Sequence, residues 1–362
     1  MQKLLPLFLL LIIQPSISAQ TGECGTVVPP GYAQSFAQKI AAVPQPDVSG
    51  GPIVIPVQVH LFRDDSGNSS ITLQDIQAEL DSANFFYANA GLIFFQCLAP
   101  EVVDDNNLYN YDYSQENYVV TNHYMANVVN LYFANTVSVS GPVCGYTHFP
   151  GNGPDACFVS SQCMNGSTLA HELGHYFGLM HTHGGSTAEL VDGSNCSFEG
   201  DLICDTPADP GLSGQVDSTC FYTGTATDAN NMPYQPDVSN IMSYSRKICR
   251  NSFTSMQYSV INMTYFNDRY YLGCSPLSIQ EEGINSIGIF PNPAVDIITL
   301  TNLPQEMAAV SLVDLSGRIV FTRTIIPGET AIISIQGLEP GAYSCFVSTT
   351  TGTSFKKVVI LR

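Results

Sequence analysis

The stretch His-Glu-Leu-Gly-His-Tyr-Phe-Gly-Leu-Met-His, residues 171–181, decides the fold around it. Residues four apart on an α-helix lie one turn apart on nearly the same face, so His171 and His175 can direct their imidazoles at one ion. On a continuing helix His181 would point about 120° away and lie ~9 Å further along. The helix must therefore end before it, and Gly178 supplies the backbone freedom to turn the chain back.

Three neutral imidazoles are the donor set of a catalytic zinc site, which leaves one tetrahedral position for water. Glu172 follows the first histidine and is expected beside that water, where its carboxylate can act as a general base. An ordinary helix with two surface histidines would explain their spacing, but not the added glutamate, glycine and third histidine. We therefore predict one catalytic zinc ion on His171, His175 and His181, with Glu172 as the catalytic base.

The other histidines have different contexts. His60 and His148 fall in strand-like segments and are predicted to be core or rim residues. His183 follows the third predicted ligand by two residues and is expected on an exposed loop, although it could reach the cleft.

Composition restricts the class of protein. The chain has 362 residues with 12 Lys+Arg against 31 Asp+Glu, a formal net charge of −19. Such a charge repels phosphate backbones and anionic lipid headgroups, which argues against nucleic-acid binding. Eleven cysteines and a charged fraction of only 12% indicate an exported protein with disulfides.

The first 19 residues have the pattern of a secretory signal peptide. Lys3 precedes an apolar run that Gln14 and Pro15 end too early for a membrane anchor, and Ser16–Ala19 offers a cleavage site of small residues. No other stretch is long enough to span a bilayer, so we expect a mature chain without a transmembrane helix. The domain order predicted from the whole sequence is a signal peptide over 1–19, a leader or pro-segment over 20–52, a catalytic domain over 53–275, a linker over 276–286 and a C-terminal domain over 287–362.

Strand and helix patterns alternate in the catalytic region. The pattern predicts helices over 73–91, 168–179 and 254–268. Thr72 precedes the first of these helices, and Thr254 is the expected N-cap of the third. A short helix is expected near 32–42, and strands are expected over 53–62, over 92–97, near 128–133 and near 143–149. The alternation indicates an α/β or α+β unit with helices packed on a sheet. Residues 182–240 lack periodicity, so disulfides or bound ions must order this loop.

The zinc motif resembles that of the metzincin zinc metalloendopeptidases, which also have a methionine-bearing turn beneath the zinc. Residues 240–244, Asn-Ile-Met-Ser-Tyr, fit that turn. The resemblance implies that Met242 forms the apolar floor of the metal site and that Tyr244 stabilises the oxyanion of the reaction. Residues 200–207 and 242–249 narrow the resemblance to the pappalysin family, over roughly residues 53–275.

The pappalysin resemblance implies an α+β catalytic domain with a twisted mixed sheet, an active-site helix and a C-terminal helix. It implies a secreted zinc endopeptidase that acts on protein or peptide substrates. It also implies a structural calcium ion at Asp201, Asp205 and Thr206, for which an acidic solvated loop is the alternative. The family's loop disulfides would correspond to Cys196–Cys220 and Cys204–Cys249.

One departure from the family concerns substrate preference. Relatives that prefer basic side chains after the scissile bond carry an acidic residue just before the cysteine that follows the methionine turn. This chain has Arg246, Lys247 and Ile248 before Cys249. A neutral or apolar pocket bounded by Ile248 is therefore at least as consistent with the sequence as a basic preference.

The C-terminal domain is predicted to be a small all-β sandwich, because short alternating segments recur from residue 287 to the end. Residues 290–293, 314–318, 337–340 and 356–360 resemble, in order and spacing, the sorting domain of the type IX secretion system. The resemblance implies that this secretion machinery is a partner and that the protein is released or attached to the outer surface. A carbohydrate- or matrix-binding sandwich that stays on the enzyme is the alternative.

An odd number of cysteines leaves at least one thiol without an intrachain partner. Cys345 is expected to be a small buried thiol on a strand. Cys24, flanked by glycines in the leader, could bind the zinc as a cysteine switch and keep a zymogen inactive, or it could form a disulfide. The function predicted overall is a secreted zinc metalloendopeptidase, and the alternative is a surface adhesin or glycoprotein-binding protein whose metzincin domain is not proteolytic.

Overall fold

The computed structural model describes residues 22–40, 53–164, 166–184, 188–274, 287–303, 308–314, 319–326, 331–348 and 353–361. The predicted signal peptide over 1–19 and the predicted linker over 276–286 lie outside these residues. In the described part of the chain, no helix is long and apolar enough to cross a membrane.

The scaffold of the first unit is a six-stranded sheet. Other strands from the same part of the chain form a separate three-stranded sheet. In chain order the strands are β1 (Ile53–Arg63), β2 (Leu92–Gln96), β3 (Glu101–Asp104), β4 (Asn110–Asp112), β5 (Val129–Ala134), β6 (Thr136–Ser138), β7 (Pro142–Val143), β8 (Gly145–Thr147) and β9 (Ala156–Ser160). The larger sheet has the order β2-β1-β5-β9-β8, and β3 also pairs with β1. All its pairs are parallel except β8 with β9, so the sheet is mixed, as predicted.

The described helices of this unit are α1 (Tyr32–Ile40), α2 (Leu73–Tyr87), α3 (Asn106–Tyr109), α4 (Glu116–Asn122), α5 (Thr168–Tyr176) and α6 (Ser255–Thr264). Thr72 and Thr254 cap α2 and α6 through capping boxes, which confirms the predicted starts of these helices. A 3₁₀ turn over Ala88–Ala90 extends α2 to the predicted end at Gly91. A π-helical segment, Tyr265–Arg269, similarly extends α6.

The main core lies between the sheet and helices α2 and α5. Leu80, Leu131 and Leu173 come from these three elements and are almost completely buried. Burial of each such side chain stabilises the fold by about 1.5–3 kcal/mol. The Tyr87 hydroxyl donates a hydrogen bond to the Ala170 carbonyl oxygen at 3.0 Å, so α2 is also tied directly to α5. These contacts fix the helix that carries the first two histidines.

The disulfide pairing predicted for the long loop is wrong. The structure pairs Cys196 with Cys204 and Cys220 with Cys249. The chain turns tightly after Asn195, whose carbonyl accepts from the backbone N–H groups of residues 198 and 199, and this turn returns the loop to its own next cysteine. Two further disulfides, Cys97–Cys274 and Cys144–Cys163, join other parts of the catalytic unit.

The C-terminal unit consists of two antiparallel sheets, with the orders β10-β11-β14 and β13-β12-β15-β16. Its strands are β10 (Gly288–Phe290), β11 (Ile297–Thr301), β12 (Ala308–Val313), β13 (Ile319–Ile325), β14 (Ala331–Ser334), β15 (Gly341–Ser348) and β16 (Thr353–Ile360). Residues of both sheets, such as Ile298 and Val310, form one buried cluster. The predicted small β-sandwich is therefore confirmed, and Cys345 is a buried free thiol within it.

Candidate active site

Helix α5 brings the three predicted zinc ligands together. It ends at Tyr176, three residues before the predicted end, and Gly178 adopts a φ of 90° that reverses the chain. His181 thereby returns to the histidines of the helix, and its Nε2 lies 2.9 Å from Nε2 of His175. The ring of His171 lies 4.9 Å from that of His175 and 5.1 Å from that of His181. The short helix is thus the reason that the third histidine reaches the site.

Backbone carbonyls set the protonation of two of these rings. Nδ1 of His171 lies 2.7 Å from the carbonyl oxygen of Ile241, and Nδ1 of His175 lies 2.7 Å from that of Leu179. Because a carbonyl can only accept, each Nδ1 carries the proton and each Nε2 keeps its lone pair for a metal. Nε2 of His171 is buried without a hydrogen-bond partner. Burial lowers the pKa of His175 to about 4, so this ring is neutral. The donor set therefore fits a zinc ion.

The carboxylate of Glu172 lies beside the histidines and is completely buried. Its Oε2 accepts hydrogen bonds from Thr26 Oγ1 at 3.1 Å and from Cys24 Sγ at 3.5 Å, whereas Oε1 has no hydrogen-bond partner. Burial raises the pKa of Glu172 to about 8, and the hydrogen bond from Thr26 opposes this rise. A buried carboxylate that still has an oxygen without a hydrogen bond can accept a proton.

The leader occupies the cleft. One ligand atom of Cys24 and one from each of the three histidines lie within 4.8 Å of one another. Residues 22–25 follow the chain at β7 and β8, with the Gly25 N–H donating to the Gly145 carbonyl oxygen at 2.8 Å. Cys24 is a free thiol, so the structure does not support its disulfide alternative. Burial, followed by the nearby charge of Glu172, raises the pKa of the Cys24 thiol well above its usual value.

The methionine turn lies under the active-site helix. Met242 is fully buried, and a Cβ added at Gly174 of α5 would lie only 2.3 Å from its Sδ. The turn also supplies the Ile241 carbonyl that orients His171. Met242 is therefore packed directly against the backbone of the helix that bears the first two predicted metal ligands.

Tyr244 and His183 lie beside the third histidine. The rings of Tyr244 and His181 are 4.6 Å apart, and His183 stacks on His181 at 5.0 Å. Burial raises the pKa of Tyr244 well above its usual value, so its hydroxyl stays protonated and can donate a hydrogen bond. The expected exposed position of His183 is wrong, because its ring is half-buried between the third ligand and the tyrosine.

The remaining histidine predictions agree with the structure. His60 is buried on β1, with its ring nitrogens 2.6 Å from Glu101 and 3.0 Å from Asn130. His148 lies partly buried after β8, 2.7 Å from Glu116. Neither belongs to the group of candidate metal ligands found among the described residues.

Two of the three residues predicted to bind calcium, Asp201 and Thr206, lie together, and Asp205 has other partners. Asp201 and Thr206 are buried, and the Thr206 hydroxyl donates to Asp201 Oδ1 at 2.8 Å. Asp205 instead accepts from Thr254 Oγ1 at 2.6 Å and from the Met256 N–H at 2.8 Å, so it supports the start of α6.

Glu189, which was not predicted from the sequence as a site residue, lies near Asp201. Its Oε2 and the Oδ2 of Asp201 are both buried without a hydrogen-bond partner. A Cβ on Gly200 would lie 2.1 Å from Glu189 Oε2, so this carboxylate sits directly against the loop backbone. Burial and the charge of Asp209 raise the pKa of Glu189 to about 7, and burial also raises that of Asp201.

The pocket bounded by Ile248 stays a prediction. The Ile248 side chain is 84% exposed. Its neighbours Lys247 and Arg250 are instead partly or fully buried.

Two parts of the chain match known families. Residues 152–266 match the family model described as pregnancy-associated plasma protein-A, and residues 288–361 match that of the secretion system C-terminal sorting domain. An extracellular metalloprotease of Arthroderma otae is 27% identical over 265 residues, which cover 68% of this chain and 91% of that protein. An extracellular metalloprotease of Pyricularia oryzae is also 27% identical over 265 residues, covering 67% of this chain and 84% of that protein.

A similar solved structure is that of a promirolysin mutant from Tannerella forsythia. It aligns with a TM-score of 0.50 at 18% identity and covers 69% of this chain and 96% of that one. This likeness concerns the fold, and it confirms the predicted α+β class of the catalytic unit.

Proposed function

We propose that the chain is a secreted zinc metalloendopeptidase with a pappalysin-family catalytic domain and a type IX sorting domain, and that its residues hydrolyse a peptide bond as follows. The alternative of a non-proteolytic adhesin is not favoured, because the matching relatives are extracellular metalloproteases. The predicted location, secreted or attached to the outer surface, agrees with the sorting domain.

We propose that His171, His175 and His181 hold the zinc through their Nε2 atoms. When bound, zinc supplies a Lewis acid that polarises the scissile carbonyl and lowers the pKa of a water molecule. Glu172 accepts the proton of the attacking water at Oε2, the oxygen that Cys24 and Thr26 contact in the precursor, and transfers it to the nitrogen of the leaving amine. Tyr244, protonated at neutral pH, donates a hydrogen bond to the carbonyl oxygen as negative charge develops there.

The observation that carries this proposal is the buried Glu172 carboxylate, whose Oε2 lies 3.5 Å from the Cys24 sulfur at the point where three imidazoles converge. Glu172→Gln keeps the shape of the side chain but cannot accept the proton. We expect the activated variant to retain zinc and to lose about 10²–10⁴-fold in kcat, the usual contribution of general acid–base catalysis. Asp81→Asn, which neutralises an exposed carboxylate on α2, is the matched control and should behave as wild type. Cleavage by Glu172→Gln at the wild-type rate would refute the assignment.

We propose that the leader keeps the enzyme latent by blocking two functional groups at once. The Cys24 thiolate would take the zinc position that water needs, since a coordinating thiol is deprotonated by the metal. Thr26 occupies Oε2 of the catalytic glutamate. Helix α1 anchors the leader, because Phe36 is buried in the main core and the Tyr32 hydroxyl donates to the Gly178 carbonyl oxygen at 2.8 Å.

The latency proposal is tested on the full-length precursor. Cys24→Ala should make it active or prone to self-cleavage while zinc remains bound. Cys345→Ala, which changes the buried free thiol of the sandwich, is the control and should leave the precursor latent. A zinc-loaded Cys24→Ala precursor that is as latent as wild type would exclude the switch.

We propose that Asp201 and Glu189 bind a structural calcium ion together with oxygen atoms of the loop backbone. The charge of Glu189 contributes to the raised pKa of Asp201, so a divalent cation would stabilise these two carboxylates, and oxygen ligands suit calcium. Calcium should raise the melting temperature of the wild-type protein, and Glu189→Gln should remove most of that increase. Asp205→Asn should lower the melting temperature through α6 but keep the calcium-dependent increase. A wild-type protein whose melting temperature does not respond to calcium would exclude this site.

A further inference from the structure

Two basic side chains are withdrawn from solvent next to the catalytic helix. The side chain of Arg250 is 2% exposed, and its guanidinium donates to the Ser245 carbonyl oxygen at 2.9 Å through Nε. Lys247 is half-buried, and its Nζ donates to Thr168 Oγ1 at 3.1 Å. Thr168 is the first residue of α5, the helix that carries the first zinc ligand and the catalytic glutamate. In a chain with 12 basic against 31 acidic residues, this placement creates a local positive site.

A carboxylate of the leader is bound at this site. Glu23 Oε2 lies 3.0 Å from Arg250 Nη2, and the charge of Glu23 also acts on Lys247. Glu23 directly precedes Cys24, whose sulfur lies among the three histidines. The basic pair therefore recognises a carboxylate one residue away from the group at the reacting centre.

The other acidic groups near the pair do not replace this contact. Glu172 and Glu79 act on Lys247 through their charges, but each has its own hydrogen bonds, to Thr26 and to the Gly166 N–H. Within the described residues, the ion pair of Arg250 is with Glu23. When the leader is cut away, Arg250 keeps its hydrogen bonds to the Ser245 carbonyl oxygen but loses that carboxylate. A hydrogen bond between a guanidinium and a carboxylate is stronger than one between neutral groups, so a ligand that restores the ion pair gains affinity.

We propose that Arg250 and Lys247 form a specificity pocket for a substrate carboxylate, so that the enzyme favours protein substrates with a glutamate beside the scissile bond. The proposal rests on the peptidase function proposed above. Glu23 shows that a glutamate side chain next to the reacting centre can reach Arg250, with Oε2 3.0 Å from Nη2. The substrate side chain that this pocket favours is therefore acidic and not basic.

The experiment uses the zinc-loaded enzyme activated from the full-length chain by removal of the leader. Its probes are peptides that differ at one position on either side of the scissile bond, where they carry Glu, Gln or Lys. We expect kcat/KM to be about 10–100-fold higher for Glu than for the isosteric Gln at one of these positions, and lowest for Lys. Lys247→Gln should reduce the preference, and Lys247→Glu should shift it towards Lys.

Arg246→Gln is the matched control, because Arg246 is exposed and should not affect the preference. Arg250→Gln should abolish the preference, but Arg250 also braces the Ser245 carbonyl, so the Lys247 variants decide the test if that protein does not fold. Cleavage of the Glu, Gln and Lys peptides at equal rates, or best cleavage of the Lys peptide, would overturn the pocket and leave the peptidase function intact. Absence of any cleavage would overturn the peptidase function and the pocket with it.

Discussion

The contact between Gly174 and Met242 predicts the effect of a single methyl group on the metal site. A Cβ at Gly174 would lie 2.3 Å from Met242 Sδ and 3.1 Å from its Cε. Non-bonded heavy atoms pack at about 3.5–4.0 Å, so the sulfur would have to move by more than about 1 Å. Met242 is fully buried, which leaves it little room. Overpacking of this kind costs about 1–3 kcal/mol, whereas alanine is favoured over glycine in a helix by about 1 kcal/mol.

We therefore expect Gly174→Ala to lower the free energy of unfolding by up to about 2 kcal/mol. It should also weaken zinc binding, because the displaced turn carries the Ile241 carbonyl that orients His171. Urea denaturation and the zinc content after dialysis measure the two effects. Met242→Ala removes the colliding atoms, so in that background Gly174→Ala should be neutral or stabilising by up to about 1 kcal/mol. If the single variant Gly174→Ala, which keeps Met242, is more stable than wild type, the reasoning is refuted.

Three further predictions follow from the site and its supports. Tyr244→Phe should lower kcat by about 10–10³-fold with unchanged zinc content, since it removes one oxyanion donor; unchanged peptide-hydrolysis kinetics would remove Tyr244 from the mechanism. Hydrogen bonds from His60 and His123 lower the pKa of Glu101 from 4.5 to about 2, so this group stabilises the fold above its unfolded pKa and that contribution is lost as the pH falls towards 2. Melting temperatures of Glu101→Gln should therefore fall less than those of wild type over this pH range, and parallel curves would contradict the assignment. Replacing both Cys220 and Cys249 by Ser should destabilise the protein more than replacing Cys196 and Cys204, because the first pair closes a loop of 29 residues and the second one of 8; equal unfolding midpoints in urea would argue against this loop-closure account.

Features that depend on neighbouring residues could be predicted from the sequence. The helical period places His171 and His175 together, and the capping residues Thr72 and Thr254 fix two helix starts, because these interactions span no more than four residues. The alternating segments after residue 287 likewise predicted the strands of the sandwich, since a half-buried strand has a period of two.

The tertiary structure alone decided which distant groups meet. The sequence predicted disulfides in the long loop but paired the cysteines wrongly, and it gave no signal that Glu189 lies near Asp201. Thr26 reaches Glu172 across 146 residues, and Glu23 reaches Arg250 across 227. Such contacts depend on the packing of the whole domain and on the burial of charges that gain a partner, and neither is encoded in local spacing. The sequence therefore determined the predicted metal ligands and the chemistry expected of them, while the tertiary structure decided that Cys24 and Thr26 lie against Glu172 and that Glu23 meets Arg250.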